Sequence, residues 1–173
     1  GATGLEGRRT AGRTAGAARG HRAAAEQGLV TAHYNRADIY ANGKGVPRDD
    51  AEVARWTEKA AMAGYIPAQA LYGELLLTGV GVKLNALEAA RWFAFAANQR
   101  HSGAQYYLGL MLLKGVGLER DLVAAHGWFK RSAESGNRNA MLELSKIFEL
   151  GLGVPADPEE AKAWRERAGF DKK

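Results

Sequence analysis

Residues 68–103, AQALYGELLLTGVGVKLNALEAARWFAFAANQRHSG, and residues 104–139, AQYYLGLMLLKGVGLERDLVAAHGWFKRSAESGNRN, superimpose without a gap. The register extends in both directions, because Trp56, Trp92, Trp128 and Trp164 stand 36 residues apart. A Gly-x-Gly pair recurs at the same interval through Gly43 and Gly45, Gly79 and Gly81, Gly115 and Gly117, and Gly151 and Gly153. A third column is alanine throughout (Ala32, Ala68, Ala104, Ala140), and a fourth is always small (Ala37, Gly73, Gly109, Ser145). Independent columns sharing one period mark a repeat array, so the chain is four copies of one unit.

Each unit reads as two helices. The first runs from the alanine column to the first glycine, as in Ala104 to Lys114, with apolar residues at three-to-four spacing. Gly-x-Gly ends it by supplying positive φ, and Val46, Val82, Leu118 or Val154 follows as an apolar plug. Asp49, Asn85, Asp121 and Asp157 form a cap column, with Glu52, Glu88 and Glu160 three residues later in the capping-box arrangement. Pro158 suits the first helical position. The second helix carries the tryptophan and a small pair (Ala60 and Ala61, Ala96 and Ala97, Ser132 and Ala133), and stops near Gly64 and Gly136, where Arg100 replaces the glycine of the second unit. The tryptophans are expected to be structural and largely buried between helices, with Trp164 contributing least because its unit is terminal.

Composition narrows the function. Of 24 basic residues, Arg8, Arg9, Arg13, Arg19 and Arg22 lie in residues 1–23 against the single acid Glu6, so the net charge of +5 falls to +1 over residues 24–173. A basic Gly/Ala/Arg-rich arm thus precedes a nearly neutral body. Such an arm contacts phosphates or anionic lipid in some proteins, but it has no aromatic residue for base stacking, and a solvated linker is the simpler reading. The absence of cysteine excludes disulfides, thiolate metal sites and cysteine nucleophiles. Apolar runs such as Leu108 to Leu113 are far shorter than the roughly 18 residues a membrane helix needs. No apolar signal core opens the sequence, and the compartment stays open, periplasmic or cytoplasmic if bacterial.

The alanine, the small residue, the Gly-x-Gly-Val turn, the Asp cap, the tryptophan and the small pair together closely resemble the Sel-1-like repeat (SLR) family, one of the tetratricopeptide-type solenoids. The resemblance covers about residues 24–173 and implies an all-α fold, a right-handed α-α superhelix with units at about 32–67, 68–103, 104–139 and 140–173. Ala124 in place of a capping glutamate, Arg100, and Gly169 interrupting the last small pair depart from the pattern. Ala24, Ala25 and Gly28 fall in register with Ala60, Ala61 and Gly64, with Gly20 at the tryptophan position, so an N-terminal half-repeat is expected to end at Gly28. The charged last helix (Lys162, Arg165, Glu166, Arg167, then Lys172 and Lys173) suits a capping unit whose outer face meets water.

No catalytic constellation emerges. His21, His33, His101 and His126 lack the close helical spacing of a zinc-binding pair and read as surface residues. The turn glycines match no phosphate-binding motif, Ser102, Ser132, Ser135 and Ser145 stand in no nucleophile context, and Asp49–Asp50 and Glu159–Glu160 serve as caps at helix starts. Neither cofactor nor metal is expected, and no enzyme activity.

A partner face remains. Ala104, Leu108 and Leu112, or Ala68, Tyr72 and Leu76, mark the core side of the first helices. The opposite side collects Tyr34, Asp38 and Ala41; Ala70, Glu74 and Leu77; Tyr106, Leu110 and Leu113; and Leu142, Lys146 and Glu149. Resemblance to tetratricopeptide solenoids implies that this side lines a concave groove. Tyr34, Asp38, Glu74, Leu77, Thr78, Tyr106, Leu110, Leu113, Lys114 and Lys146 are the candidate partner-binding residues. For Leu77, Tyr106, Leu110 and Leu113, packing between neighbouring first helices is an equal alternative. The family resemblance implies a monomeric, non-enzymatic adaptor or regulator with a protein or peptide partner. The alternatives are a cell-wall hydrolase or β-lactam- or peptidoglycan-binding protein, whose relatives' cysteines this chain lacks, and nucleic-acid or membrane-surface binding through the arm.

Overall fold

A computed structural model describes residues 26–170, which form eight helices and no strand. The arm at 1–23, with His21, the Gly20–Ala24–Ala25 register, and Lys172 and Lys173 lie outside the described residues. The helices are α1 (26–42), α2 (Asp50–Met62), α3 (Ile66–Thr78), α4 (Ala86–Asn98), α5 (Ser102–Lys114), α6 (Leu122–Glu134), α7 (Arg138–Leu150) and α8 (Pro158–Arg167). From α2 onward each packs on its neighbours in the chain, with the pairs inside a unit (α3 with α4, α5 with α6, α7 with α8) most extensive. That nearest-neighbour pattern is a solenoid's.

The cap column works as expected on one side and differently on the other. Asp49 Oδ1 accepts from the amides of Ala51 and Glu52, Asn85 from Glu88, Asp121 from Ala124, and Asp157 from Glu159 and Glu160. The glutamates do not close a capping box. Each cap amide instead donates to a carbonyl nine residues back on the preceding helix: Asp49 to Tyr40, Asn85 to Leu76, Asp121 to Leu112 and Asp157 to Phe148. Glu52 is thereby released to accept from Arg55 and from the Trp56 indole N–H at 3.0 Å, and Glu88 to accept from the Asn85 side-chain Nδ2.

The first helices of units two to four begin two residues before the alanine column, at 66, 102 and 138. The residue before each supplies the reason: His101 Nδ1 accepts from Ala104 N and Asn137 Oδ1 from Ala140 N, both at 3.1 Å. Tyr65 gives no side-chain cap, and Pro67 opens α3 instead. Just upstream the chain turns through left-handed backbone at Gly64 (φ 87°), Arg100 (φ 65°) and Gly136 (φ 89°). Gly28, in the same column, does not end a helix, because α1 continues through it. Leu29 occupies the cap position there and has no side-chain acceptor to start a new helix.

From the second turn onward the second glycine does more than bend. A Cβ on Gly81 would collide with the Asp50 carbonyl, on Gly117 with that of Ala86, and on Gly153 it would come within 2.6 Å of Leu122 backbone. Each of these three turns is thus pressed against the start of the previous unit's second helix, while a Cβ on Gly45 in the first turn would meet nothing within 4 Å.

The interior differs from the expectation at the tryptophans. Trp56, Trp92 and Trp128 are half-buried, while terminal Trp164 is 6% exposed. The residues that fill the units are one position later: Phe93 and Phe129 are 0% exposed, and Thr57 is buried in the same column. Phe93 and Phe129 rest on Gly73 and Gly109, the small column. These three tryptophans occupy the helix edge, Trp92 edge-on to Tyr72 and Phe95, and Trp56 and Trp128 beneath cations. Arg36, Arg55 and Lys59 surround Trp56 at 4.5, 5.0 and 4.3 Å from the ring centroid, and Arg131 lies 4.7 Å from Trp128. In the last unit the Phe column holds Arg165, which turns outward to Glu149, and Trp164 takes the interior place beside Leu144 and Ile147.

Candidate partner-binding face

The candidate residues fall into two neighbourhoods joined by a pair of tyrosines. In the first, Tyr34 of α1 meets Tyr65 edge-on at 5.0 Å. Burial raises the Tyr34 hydroxyl pKa, and Tyr65, Asp38 and Glu74 add to the rise. Half-buried Glu74 of α3 is also raised, chiefly by desolvation, against which a Tyr107 hydrogen bond works. In the second neighbourhood, Tyr106 of α5 feels Glu143 and Lys146 of α7, and burial again raises its pKa. The Tyr106 and Tyr107 rings, 5.6 Å apart, connect the two, and Tyr107 stacks on Phe93 at 4.9 Å.

The polar members already have local partners. Asp38 pairs with Lys44 at 2.9 Å, Lys146 with Glu143 at 2.8 Å, and the Thr78 hydroxyl donates to the Glu74 carbonyl. The Asp38 and Lys146 pairs are exposed on at least one side, each worth about 0–1 kcal/mol, so exchange for a partner's charge is cheap. Lys114, in the last turn of α5, is exposed. Tyr34 and Asp38 also line a cavity of about 180 Å³ with Val53 and Leu71.

Leu77 and Tyr34 pack on the edge of the first core cluster, and Tyr106, Leu110 and Leu113 on the second. All five are half-buried, so packing between units accounts for part of their apolar character. Ala70, assigned to the same side, is fully within the core. Sequence reasoning missed Tyr65, Tyr107 and Glu143. Tyr65 stands in the cap column, where an aromatic residue caps nothing, and that mismatch was a readable signal. Tyr107 and Glu143 share a column with Asn35 and Leu71, whose mixed chemistry gave none.

The histidines need correction. His101 is a helix cap, and burial lowers its pKa. His126 is half-buried edge-on to Phe148 at 5.4 Å, its pKa lowered by burial and by Lys130. Among the described residues no group of three His, Asp or Glu side chains is placed to hold a metal ion, and no helix is long and apolar enough to cross a membrane.

The Sel1 repeat family model matches residues 30–65, 66–101, 102–137 and 138–169. Among solved structures, the chain is similar to a protective antigen of uropathogenic Escherichia coli strains displaying an SLR fold, at 36% identity and TM-score 0.80 over 86% of this chain and 32% of that one. A Sel1 repeat protein from Oxalobacter formigenes matches at 28% identity and TM-score 0.77, over 85% of this chain and 60% of that one. A Pseudomonas aeruginosa protein shares the fold at 19% identity and TM-score 0.52, over 88% of this chain and 74% of that one. The chain therefore spans about a third of the E. coli antigen and less than two thirds of the Oxalobacter protein. Comparison with curated proteins gave no match. Sel1 repeat proteins generally mediate protein–protein interaction and are generally non-catalytic. With its four units matched in register from residue 30 to residue 169, the chain belongs to the Sel1 repeat family.

Proposed function

We propose that this chain is a non-enzymatic adaptor that holds a protein or peptide partner along the face formed by α1, α3, α5 and α7. The observation that supports this reading is the run Tyr65, Tyr34, Glu74, Tyr107, Tyr106, Lys146, which crosses all four units with half-buried aromatic rings between polar groups. Tyrosines of this kind present apolar area and a polar tip at little entropic cost, which is what interface anchors require. Glu74, held half-buried against its own desolvation, is better satisfied by a donor from a partner than by water. Asp38, Thr78, Lys114 and Lys146 form a polar rim around it.

Capture of a partner on the immobilised chain, followed by titration calorimetry with variants, tests the proposal. Tyr34→Ala with Tyr106→Ala should weaken the complex by at least about 2 kcal/mol if the rings anchor it. Lys114→Ala with Lys146→Ala should weaken it less and leave the melting temperature unchanged. Wild-type affinity in both double variants would move the partner to another surface.

A further inference from the structure

The three junctions between successive units repeat the same positions, and one of them is left open. At the first, Gln69 Nε2 reaches back to the Ala61 carbonyl of the preceding unit at 3.4 Å, and its Oε1 accepts from Gln99 Nε2 at 3.0 Å, so the buried glutamine of α3 is closed off by the C-cap residue of α4 in its own unit. At the second junction the equivalent glutamine is Gln105, 4% exposed, whose Nε2 donates to the Ala97 carbonyl at 3.2 Å. The residue in the place of Gln99 is Ser135, whose hydroxyl turns back to the Arg131 carbonyl of its own helix. Gln105 Oε1 is consequently buried without a hydrogen-bond partner. At the third junction Met141 replaces the glutamine and Arg138 covers Phe170 at 4.6 Å.

The open junction holds a cavity of about 380 Å³ lined by Ala97, Asn98, Arg100, Gln105, Arg131 and Glu134, with Ser135 at its side. Its charges are specific to this junction. Arg100 stands where the other units have Gly64 and Gly136, and it keeps left-handed backbone at φ 65° that glycine would adopt at lower cost. Arg131 and Glu134 replace Phe95 and Asn98 of the preceding unit. Among the described residues none of the three makes an ion pair, Arg131 resting with its guanidinium over the Trp128 ring, and all three line one cavity.

We propose that this cavity is a binding site for a small zwitterion of the α-amino acid class, its carboxylate held by Arg100 and Arg131 and its ammonium by Glu134 and Gln105 Oε1. The charge pattern selects both ends. An anion alone meets Glu134 and leaves Gln105 Oε1 without a donor; a cation alone meets two guanidinium groups. The C-terminal ends of α4 and α6 converge on the cavity, and their carbonyls favour the ammonium. Gln105 Oε1 is buried without a donor, so its donor comes from a group that enters beside it, in the place from which Gln99 serves Gln69 one unit earlier. A volume of about 380 Å³ leaves room for a residue-sized molecule together with waters that bridge it to the walls. This site lies apart from the partner-binding face and does not depend on it.

The test is NMR titration of the whole chain, following the Gln105 side-chain amide, with L-alanine and glycine as probes and acetate, methylammonium and inorganic phosphate as controls. Saturating shifts with the amino acids in the millimolar range, and none with acetate or methylammonium, are expected. Ser135→Gln copies the closed junction and should abolish the shifts while keeping or raising the melting temperature. Arg100→Gly should weaken binding at least about tenfold, the loss of one charge-assisted hydrogen bond, while also raising the melting temperature. Binding and stability thus move in opposite directions, which a merely structural role for these residues does not produce. No saturable shift with either amino acid, equal shifts with acetate or phosphate, or unchanged binding in Ser135→Gln would each overturn the proposal.

Discussion

Gly73 and Phe93 fit each other so closely that a Cβ on the glycine would come within 2.9 Å of the ring, and Gly109 and Phe129 repeat the relationship at the same distance. Where the partner position is Thr57, the small column tolerates Ala37. The two columns therefore vary together. Phe93 has no room to retreat, since it is fully buried and Tyr107 stacks on its other side. Gly73→Ala should cost about 1–3 kcal/mol by overpacking, and Phe93→Ala about 3–5 kcal/mol. Gly73→Ala combined with Phe93→Thr, which copies the first unit, should cost less than the sum of the separate changes; chemical denaturation of the four proteins measures that coupling.

Gly45 and Gly81 have nearly the same backbone, φ 78° and 68°, but different surroundings. Nothing lies within 4 Å of a Cβ on Gly45, whereas one on Gly81 collides with the Asp50 carbonyl. Gly45→Ala should cost about 1–2 kcal/mol, the strain of left-handed backbone alone. Gly81→Ala should cost roughly 1–3 kcal/mol beyond that, because the turn must leave α2. Equal losses in a denaturation experiment would show that the second glycine serves only conformation.

The tryptophans are unequal in the order opposite to that expected from position in the array. Trp164→Ala removes a buried ring of the second core cluster and should cost about 3–5 kcal/mol, whereas Trp92→Ala removes a half-buried one and should cost less. Melting temperatures of the two variants decide the order.

His101 makes the protein acid-sensitive. Its Nδ1 accepts the Ala104 amide and its folded pKa is depressed by burial, so the native state prefers the neutral ring. The stability it contributes is present above the unfolded value of about 6.5 and is lost as pH falls from there through the folded value. His101→Asn, which copies the Asn137 cap, should match the wild type at pH 8 and exceed it at pH 5. Because His126 is shifted in the same direction, the variant's melting temperature should still fall on acidification, with a smaller slope.

The sequence by itself determined the repeat, the unit length, the two helices per unit, the cap column and the turns. These depend on residues near one another in the chain: a glycine supplies positive φ and an aspartate caps the amides that follow it wherever the unit stands. Only the tertiary structure decided which aromatic column fills the core, why the second turn glycine abuts the previous unit, and that Tyr65 and Tyr107 join Tyr34 and Tyr106 in one run. Trp92 and Phe93 are adjacent, and a helical period leaves either able to face inward; the absent Cβ of Gly73, twenty residues away, settles it. The cap glutamates went elsewhere for the same reason, because the amide they would have accepted was already bonded to the preceding helix. Contacts across units are set by how helices dock, and no local pattern of residues encodes that geometry.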